Sequence, residues 1–229
     1  MKTLGILGGM SYESTASYYT LINQKINERL GKSHSAKLLI ASVDFEDVVQ
    51  QQKLADWQAA GNLLAGQAKA LQLAGAEGIL LATNTMHKVA DNIKAEISVP
   101  FLHIIECMAD ELQANGIEIV GLLGTAFTMQ DGFYHQLLES RGIKVVTPDT
   151  DTQIEIHRII FDELCHGKVL DDSCDIYIQA IQQLKDNQAQ AVILGCTEIG
   201  LMIHQHNSPL PVFDSTLVHV NKAVEWVLN

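Results

Sequence analysis

Cys196 stands two residues beyond the apolar run at 191–194 and is followed by Thr197 and Glu198. A thiol just past a strand and at the start of a helix lies near free backbone N–H groups and the positive end of the helix dipole. That placement predicts a pKa lowered from about 8.5, so that thiolate is accessible at neutral pH. A small buried residue is the alternative role for any cysteine, and the polar company of Thr197 and Glu198 argues against it here. Cys107, Cys165 and Cys174 fall inside helical patterns without such company and suit core or helix-face positions.

Thr83-Asn84-Thr85 follows a second apolar run, 78–82, in the same manner. Such residues commonly cap the next helix. They also offer hydroxyl and amide donors beside free backbone N–H groups, a good setting for an anion. Met10 and Ser11 follow Gly8-Gly9, Ser14 comes shortly after, and Thr125 and Thr128 follow Gly124; capping and ligand donation are both open to the hydroxyl residues among them. The chemistry suits a carboxylate better than a dinucleotide. The first glycine pattern is Gly5-x-x-Gly8-Gly9, not GxGxxG, and no lysine of the phosphate-loop kind follows any glycine turn. His87, one turn beyond Thr83, can steer or donate a proton, or simply pack. His204-x-His206 has no further His or Cys at site-like spacing, so no metal is expected. Asp44, Glu46 and Asp47 read as a solvated loop.

The elements that must position these residues alternate along the chain. Short apolar runs at 4–7, 37–43, 78–82, 100–104, 118–123, 144–147, 191–194 and 211–213 read as strands. Helical patterns lie between them, at 14–30, 57–73, 86–97, 106–115, 129–140, 153–166 and 172–187, with a last one at 217–228. Strand–helix alternation of this kind predicts βαβ units, parallel sheets and the α/β class. The halves also rhyme. Gly5-Ile6-Leu7-Gly8-Gly9 resembles Gly121-Leu122-Leu123-Gly124-Thr125, and Leu80-Leu81-Ala82-Thr83-Asn84-Thr85 resembles Ile193-Leu194-Gly195-Cys196-Thr197-Glu198. Two signatures repeating in order predict two pseudo-symmetric lobes of parallel sheet flanked by helices, facing one another across a cleft. In parallel sheets ligands bind beyond the carboxyl ends of strands, where all of these residues fall.

Composition narrows the partners. Of 229 residues, 47% are hydrophobic and 18% charged, as in a packed globular protein. Fifteen Lys and Arg against 27 Asp and Glu leave a net charge of −12, which disfavours nucleic acid and anionic membrane surfaces. No stretch reaches the roughly 20 apolar residues of a membrane helix. The opening residues read as a buried strand rather than a signal peptide, and four cysteines without a CxxC pair suit a reducing cytoplasm.

At these residues the chain resembles the aspartate/glutamate racemase family of cofactor-independent amino-acid racemases. The resemblance spans essentially the whole length. It rests on Leu7-Gly8-Gly9-Met10-Ser11-Tyr12-Glu13-Ser14-Thr15, Ser42-Val43-Asp44-Phe45, Thr83-Asn84-Thr85-Met86-His87-Lys88-Val89-Ala90-Asp91, Leu123-Gly124-Thr125 and Leu194-Gly195-Cys196-Thr197-Glu198-Ile199-Gly200. It is closest to the broad-specificity branch. It implies two lobes, 1–100 plus 210–229 and 101–209, with the terminal helix returning to the first and the active site in the cleft between them, a homodimer, an amino-acid substrate, and one acid/base residue per lobe. Those residues would be Thr83 and Cys196. Met10, Ser11, Asn84, Thr85, Thr125, Thr128 and Thr197 would hold the α-carboxylate, with Gln52 and Glu198 also lining the pocket.

Most family members carry cysteine at both acid/base positions, whereas this chain has Thr83 at one. A threonine hydroxyl can give a proton to a carbanion far more easily than it can take one from Cα, which predicts a lopsided enzyme. The segment 45–52 has no Arg or Lys, and only His166 and Lys168 offer basic groups in 161–168, so loose specificity for small polar or acidic amino acids is expected. Two rival readings follow from the single cysteine: a decarboxylase of malonate-like acids on the same fold, and a catalytically idle amino-acid-binding protein.

Overall fold

A computed structural model describes residues 1–229. The eight expected strands form two four-stranded, all-parallel sheets. In the first, β1 (Thr3–Gly8), β2 (Lys37–Ser42), β3 (Gly78–Leu81) and β4 (Phe101–Leu102) lie in the order β2-β1-β3-β4. In the second, β5 (Ile119–Leu123), β6 (Lys144–Val146), β7 (Ala191–Leu194) and β8 (Val212–Asp214) repeat it as β6-β5-β7-β8. The rhyming runs are thus the two central strands of each sheet. Their registers correspond as well: Leu7 pairs with Leu81, and Leu123 with Leu194. In both sheets the chain order reverses between the central strands, and the carboxyl ends there form the switch point at which open α/β sheets bind ligands.

Helices cover the sheets because central parallel strands must be buried on both faces. In the first unit α1 (Tyr12–Leu30), α2 (Phe45–Lys53), α3 (Trp57–Leu73) and α4 (Ala90–Glu96) surround β1 and β3. One core gathers Leu7, Ala60, Leu64, Ala68, Ile79, Leu81 and Ile93 on the α3 side. Another gathers Leu4, Ile6, Tyr18, Ile22, Ile26 and Leu80 against the last helix, α10 (Ser215–Leu228), through Val220, Ala223, Val224 and Val227. In the second unit α5 (Ile104–Ala114), α6 (Ala126–Gln130), α7 (Phe133–Ser140), α8 (Thr150–Asp162) and α9 (Asp171–Asp186) flank β5 to β8. Its core centres on Leu123, Ile156, Ile160, Tyr177, Ile181, Val192 and Leu194.

Three expectations change in detail. The compact units are Met1–Ile104 with His219–Asn229, and Ile105–Val218, instead of dividing at 100/101 and 209/210. The reason is pairing: β8 is a strand of the second sheet, on β7, and β4 belongs to the first, on β3. The segment at 44–47 is not a loop. Asp44 caps α2, its Oδ1 accepting from the Glu46 N–H at 3.1 Å, and the acids of the first turn suit the positive helix end. Only Val48 is buried along that nine-residue helix, so its apolar period is faint. The helix expected at 129–140 is two, broken where Gly132 takes φ 78.

Candidate active site

Both switch points are built the same way. Beyond β3 the Ala82 N–H donates to Leu7 O at 2.9 Å, carrying the strand one residue further and leaving Thr83 just past its end. Beyond β7 the Gly195 N–H donates to Leu123 O at 2.7 Å, leaving Cys196 in the same position. Hydroxyls fix both strand ends: Ser14 Oγ donates to Ala82 O at 3.1 Å, and Ser215 Oγ to Leu194 O at 2.7 Å. A threonine packs on the glycine ending each other central strand. A Cβ on Gly8 would collide with the Thr15 side chain, and one on Gly124 would lie 3.0 Å from Thr128 Cγ2.

Around the first switch point, Met10 is buried, and Ser11 caps α1 by accepting the Ser14 N–H at 3.2 Å. Thr15 Oγ1 accepts from the Gly9 N–H at 2.8 Å and donates to Ser11 O at 2.9 Å, holding the turn from behind. Asn84 and Thr85 are buried, and Asn84 makes no side-chain capping bond to the 3₁₀ turn that follows, Thr85–Val89. The capping alternative therefore holds for Ser11 but not for Asn84. Gln52, near the end of α2, donates its Nε2 hydrogen to Met86 Sδ at 3.1 Å. The first unit thus brings Met10, Ser11, Gln52, Thr83, Asn84 and Thr85 to elements that meet at the carboxyl end of its sheet.

In the second unit Thr125 caps α6: its Oγ1 accepts from the Thr128 N–H at 3.3 Å and lies 3.2 Å from Thr128 Oγ1. Thr128 is wholly buried beneath that turn. His157 on α8, which no spacing in the sequence ties to this turn, accepts from the Ala126 N–H through Nδ1 at 3.1 Å. Burial lowers its pKa, in keeping with that acceptor role. Cys196 donates its thiol hydrogen to Glu198 Oε2 at 3.0 Å. The resemblance points Glu198 toward the substrate; in this structure its carboxylate is on the thiol.

That contact reverses the expected electrostatics of Cys196. Burial, followed by the negative charge of Glu198 and its hydrogen bond to the thiol, pushes the pKa well above the ordinary thiol value. Only a five-residue 3₁₀ turn, Thr197–Leu201, follows, too slight a dipole to offset a carboxylate at hydrogen-bond distance. Cys196 is therefore a thiol at rest with a proton acceptor beside it. Cys165 and Cys174 pack against the second core, and none of the four cysteines is in a disulfide. His166 and Lys168 are exposed beyond the end of α8. His204 and His206 stack with ring centroids 5.2 Å apart, and no group of three or more His, Cys, Asp or Glu is arranged to hold a metal ion. No helix is long and apolar enough to cross a membrane.

The Asp/Glu/hydantoin racemase family matches residues 7–223. A Yersinia pestis protein described as a candidate Asp/Glu racemase is 46% identical, each chain covered over its full length, with a TM-score of 0.94. An aspartate racemase homologue from Pyrococcus horikoshii is 36% identical over the full length of both, with a TM-score of 0.89. The broad-specificity amino-acid racemase RacX of Bacillus subtilis is 26% identical over 163 residues, covering 69% of this chain and 68% of that protein. With two repeated parallel sheets, a hydroxyl and a thiol at matching strand ends, and this similarity along almost its whole length, the chain belongs to the Asp/Glu/hydantoin racemase family.

Proposed function

We propose that the protein is an isomerase that racemises small polar or acidic amino acids without a cofactor, using Cys196 and Thr83 on opposite faces of Cα. The observation that carries this reading is the matched placement of the two residues, each just past the end of the inner strand at a switch point of the same design. Inversion at Cα removes a proton from one face and returns one to the other. Two units of one pattern, each with one group at the corresponding position, suit that task.

The proton inventory closes as follows. Glu198 takes the thiol hydrogen of Cys196, and the resulting thiolate removes the α-proton from one enantiomer. Thr83 gives its hydroxyl proton to the opposite face of the carbanion and is reprotonated from water, and the hydroxide left takes the proton held by Glu198, so that Cys196 thiol, Glu198 carboxylate and Thr83 hydroxyl are all restored. Backbone N–H groups and side-chain donors of the turns at Ser11, Asn84, Thr85, Thr125 and Thr197 hold the α-carboxylate and the charge that develops on it. Gln52 also lines the pocket, and the absence of a fixed Arg clamp favours loose specificity. RacX of Bacillus subtilis, to which the chain is similar, is named for its broad specificity.

Because Thr83 is the weaker base, kcat and KM are expected to differ between the two directions. Their ratio cannot, since free enantiomers have equal energies. The test is incubation in D₂O with L-glutamate, L-aspartate and L-homoserine in turn, following α-proton loss by NMR and chirality by circular dichroism. Decay of both signals, abolished by Cys196→Ser, supports the reading. No decay with any of the three overturns it.

A further inference from the structure

In the first unit the Thr83 carbonyl and the Ile104 N–H meet on one side chain. His87 Nδ1 lies 2.7 Å from Thr83 O, and its Nε2 lies 3.1 Å from the Ile104 nitrogen. A carbonyl only accepts and a backbone N–H only donates, so Nδ1 carries the hydrogen and Nε2 is bare. The imidazole is neutral and held in one tautomer. Ile104 opens α5, and its N–H is one of those that helix geometry leaves without an intrahelical partner. His87 supplies the acceptor that a capping residue ordinarily would.

The second unit solves the same problem differently. The last strand of its sheet is followed by α10, at whose start Asp214 Oδ1 accepts from the Thr216 and Leu217 N–H groups at 2.8 and 3.1 Å. The position matching His87 is Gly200, and a Cβ there would meet the Asp214 carboxylate. There the cap adjoins its own helix. In the first unit it comes from the turn that carries Thr83. The surroundings keep His87 neutral: it is buried, with the His103 ring 4.6 Å and the His219 ring 6.1 Å away. His219 is fixed in turn, its Nε2–H donating to Leu102 O and its Nδ1 accepting from Tyr18, both at 2.9 Å. Lys94 acts on His103 from α4, and no carboxylate offsets burial and the two histidines, which hold the His87 pKa well below its ordinary value.

We infer that His87 is a positioning residue for Thr83, a neutral imidazole whose Nδ1–H ties down the carbonyl of the turn bearing the Thr83 hydroxyl, while its Nε2 separately caps the first N–H of α5. The inference rests on the racemase reading, in which Thr83 serves one face of Cα. It goes beyond that reading by assigning the tie to the Nδ1–H tautomer.

Two isosteres separate the two hydrogen bonds. In His87→Asn the amide nitrogen takes the Nδ1 position and keeps the bond to Thr83. In His87→Gln the amide oxygen reaches the Nε2 position and keeps the bond to Ile104. The D₂O assay is run on the full chain, comparing inversion with α-proton exchange of the enantiomer that Cys196 deprotonates. His87→Asn is expected to invert within about threefold of the wild type, and His87→Gln to lose about tenfold or more while its exchange stays within about threefold. A merely structural role lowers exchange and inversion together, and that result overturns the inference. Equal inversion by the two variants overturns it as well. Independently of activity, ¹⁵N NMR of the His87 ring should show the Nδ1–H tautomer, unchanged from pH 8 to pH 5. An Nε2–H tautomer refutes the inference even if the wild type racemises. A wild type that neither exchanges nor inverts refutes the racemase reading first, and this inference with it.

Discussion

The Cys196 thiol donates to the Glu198 carboxylate across 3.0 Å, although only Thr197 separates them in the chain. One contact has two opposed effects. The carboxylate's charge disfavours thiolate, adding to burial in raising the thiol's pKa, yet it gives the departing proton a place to go. In the proposed mechanism the working base is formed by transfer within the pair. Substituting Glu198→Gln removes the charge and the acceptor together. The rising limb of the pH–rate profile should move to lower pH, because the thiol's pKa falls. The maximal rate should drop by about 100-fold, because the acceptor is gone. A limb that stays put, or moves to higher pH, would show that the carboxylate does not act on this thiol.

The two acid/base positions should respond unequally. Cys196→Ser should reduce inversion by about 1,000-fold or more, since a serine hydroxyl in a buried site scarcely ionises. Thr83→Cys should raise kcat in the direction where Thr83 must take the α-proton, and should narrow the difference in kcat between the two enantiomers. Progress curves from each pure enantiomer, followed by circular dichroism, measure both. An unchanged asymmetry in Thr83→Cys would mean that Thr83 does not set it.

How much of this was legible in the sequence differs by level. The strands were readable because central parallel strands such as 78–81 and 191–194 are unbroken apolar runs, and the repeat was readable because both switch points need glycine and a small polar residue in the same order. The signals that failed depend on tertiary neighbours. The helix at 45–53 buries a single residue, so periodicity could not find it. The expected low pKa of Cys196 came from a helix dipole, and a side chain two residues away outweighed it. His87 was visible one turn beyond Thr83, but its bond to Ile104 and that of His157 to Ala126 span 17 and 31 residues, which no local pattern encodes.

Three neutral histidines buried in one unit should make the protein sensitive to acid. Burial, joined by Lys94 and His219 for His103 and by the two neighbouring histidines for His87, holds His103 at about 3, His219 at about 4, and His87 well below its ordinary value. In the unfolded chain each titrates near 6.5, so below that pH the unfolded state binds more protons than the folded one. Stability should be full above about pH 6.5 and should fall toward pH 4, at up to about 1.4 kcal/mol per pH unit for each histidine. Unfolding free energies from urea titrations between pH 7 and 4.5 measure the slope. His103→Asn should reduce it by one proton's worth, and an identical slope in that variant would show that His103 is not held neutral.

The position of Cys196 depends on how β7 ends against β5. Gly195 donates its N–H to Leu123 O at 2.7 Å, and a Cβ built on it would lie 2.8 Å from that same oxygen and 3.2 Å from both Leu122 Cδ1 and Thr128 Cγ2. The carbonyl cannot retreat without giving up the bond, and Thr128 is fully buried, so the strand end has to shift. Gly195→Ala should therefore cost about 2 kcal/mol or more. Gly66, exposed on α3 with nothing within 4 Å of a Cβ, supplies the opposite case. There the same substitution relieves the conformational freedom of glycine in a helix and should stabilise by about 0.5–1 kcal/mol. Paired thermal melts should move in opposite directions. Only Gly195→Ala should also lose α-proton exchange, because the displaced residue next in the chain is the thiol. A Gly195→Ala protein that melts like the wild type and exchanges at its rate would show that the strand ladder does not hold Cys196 in place.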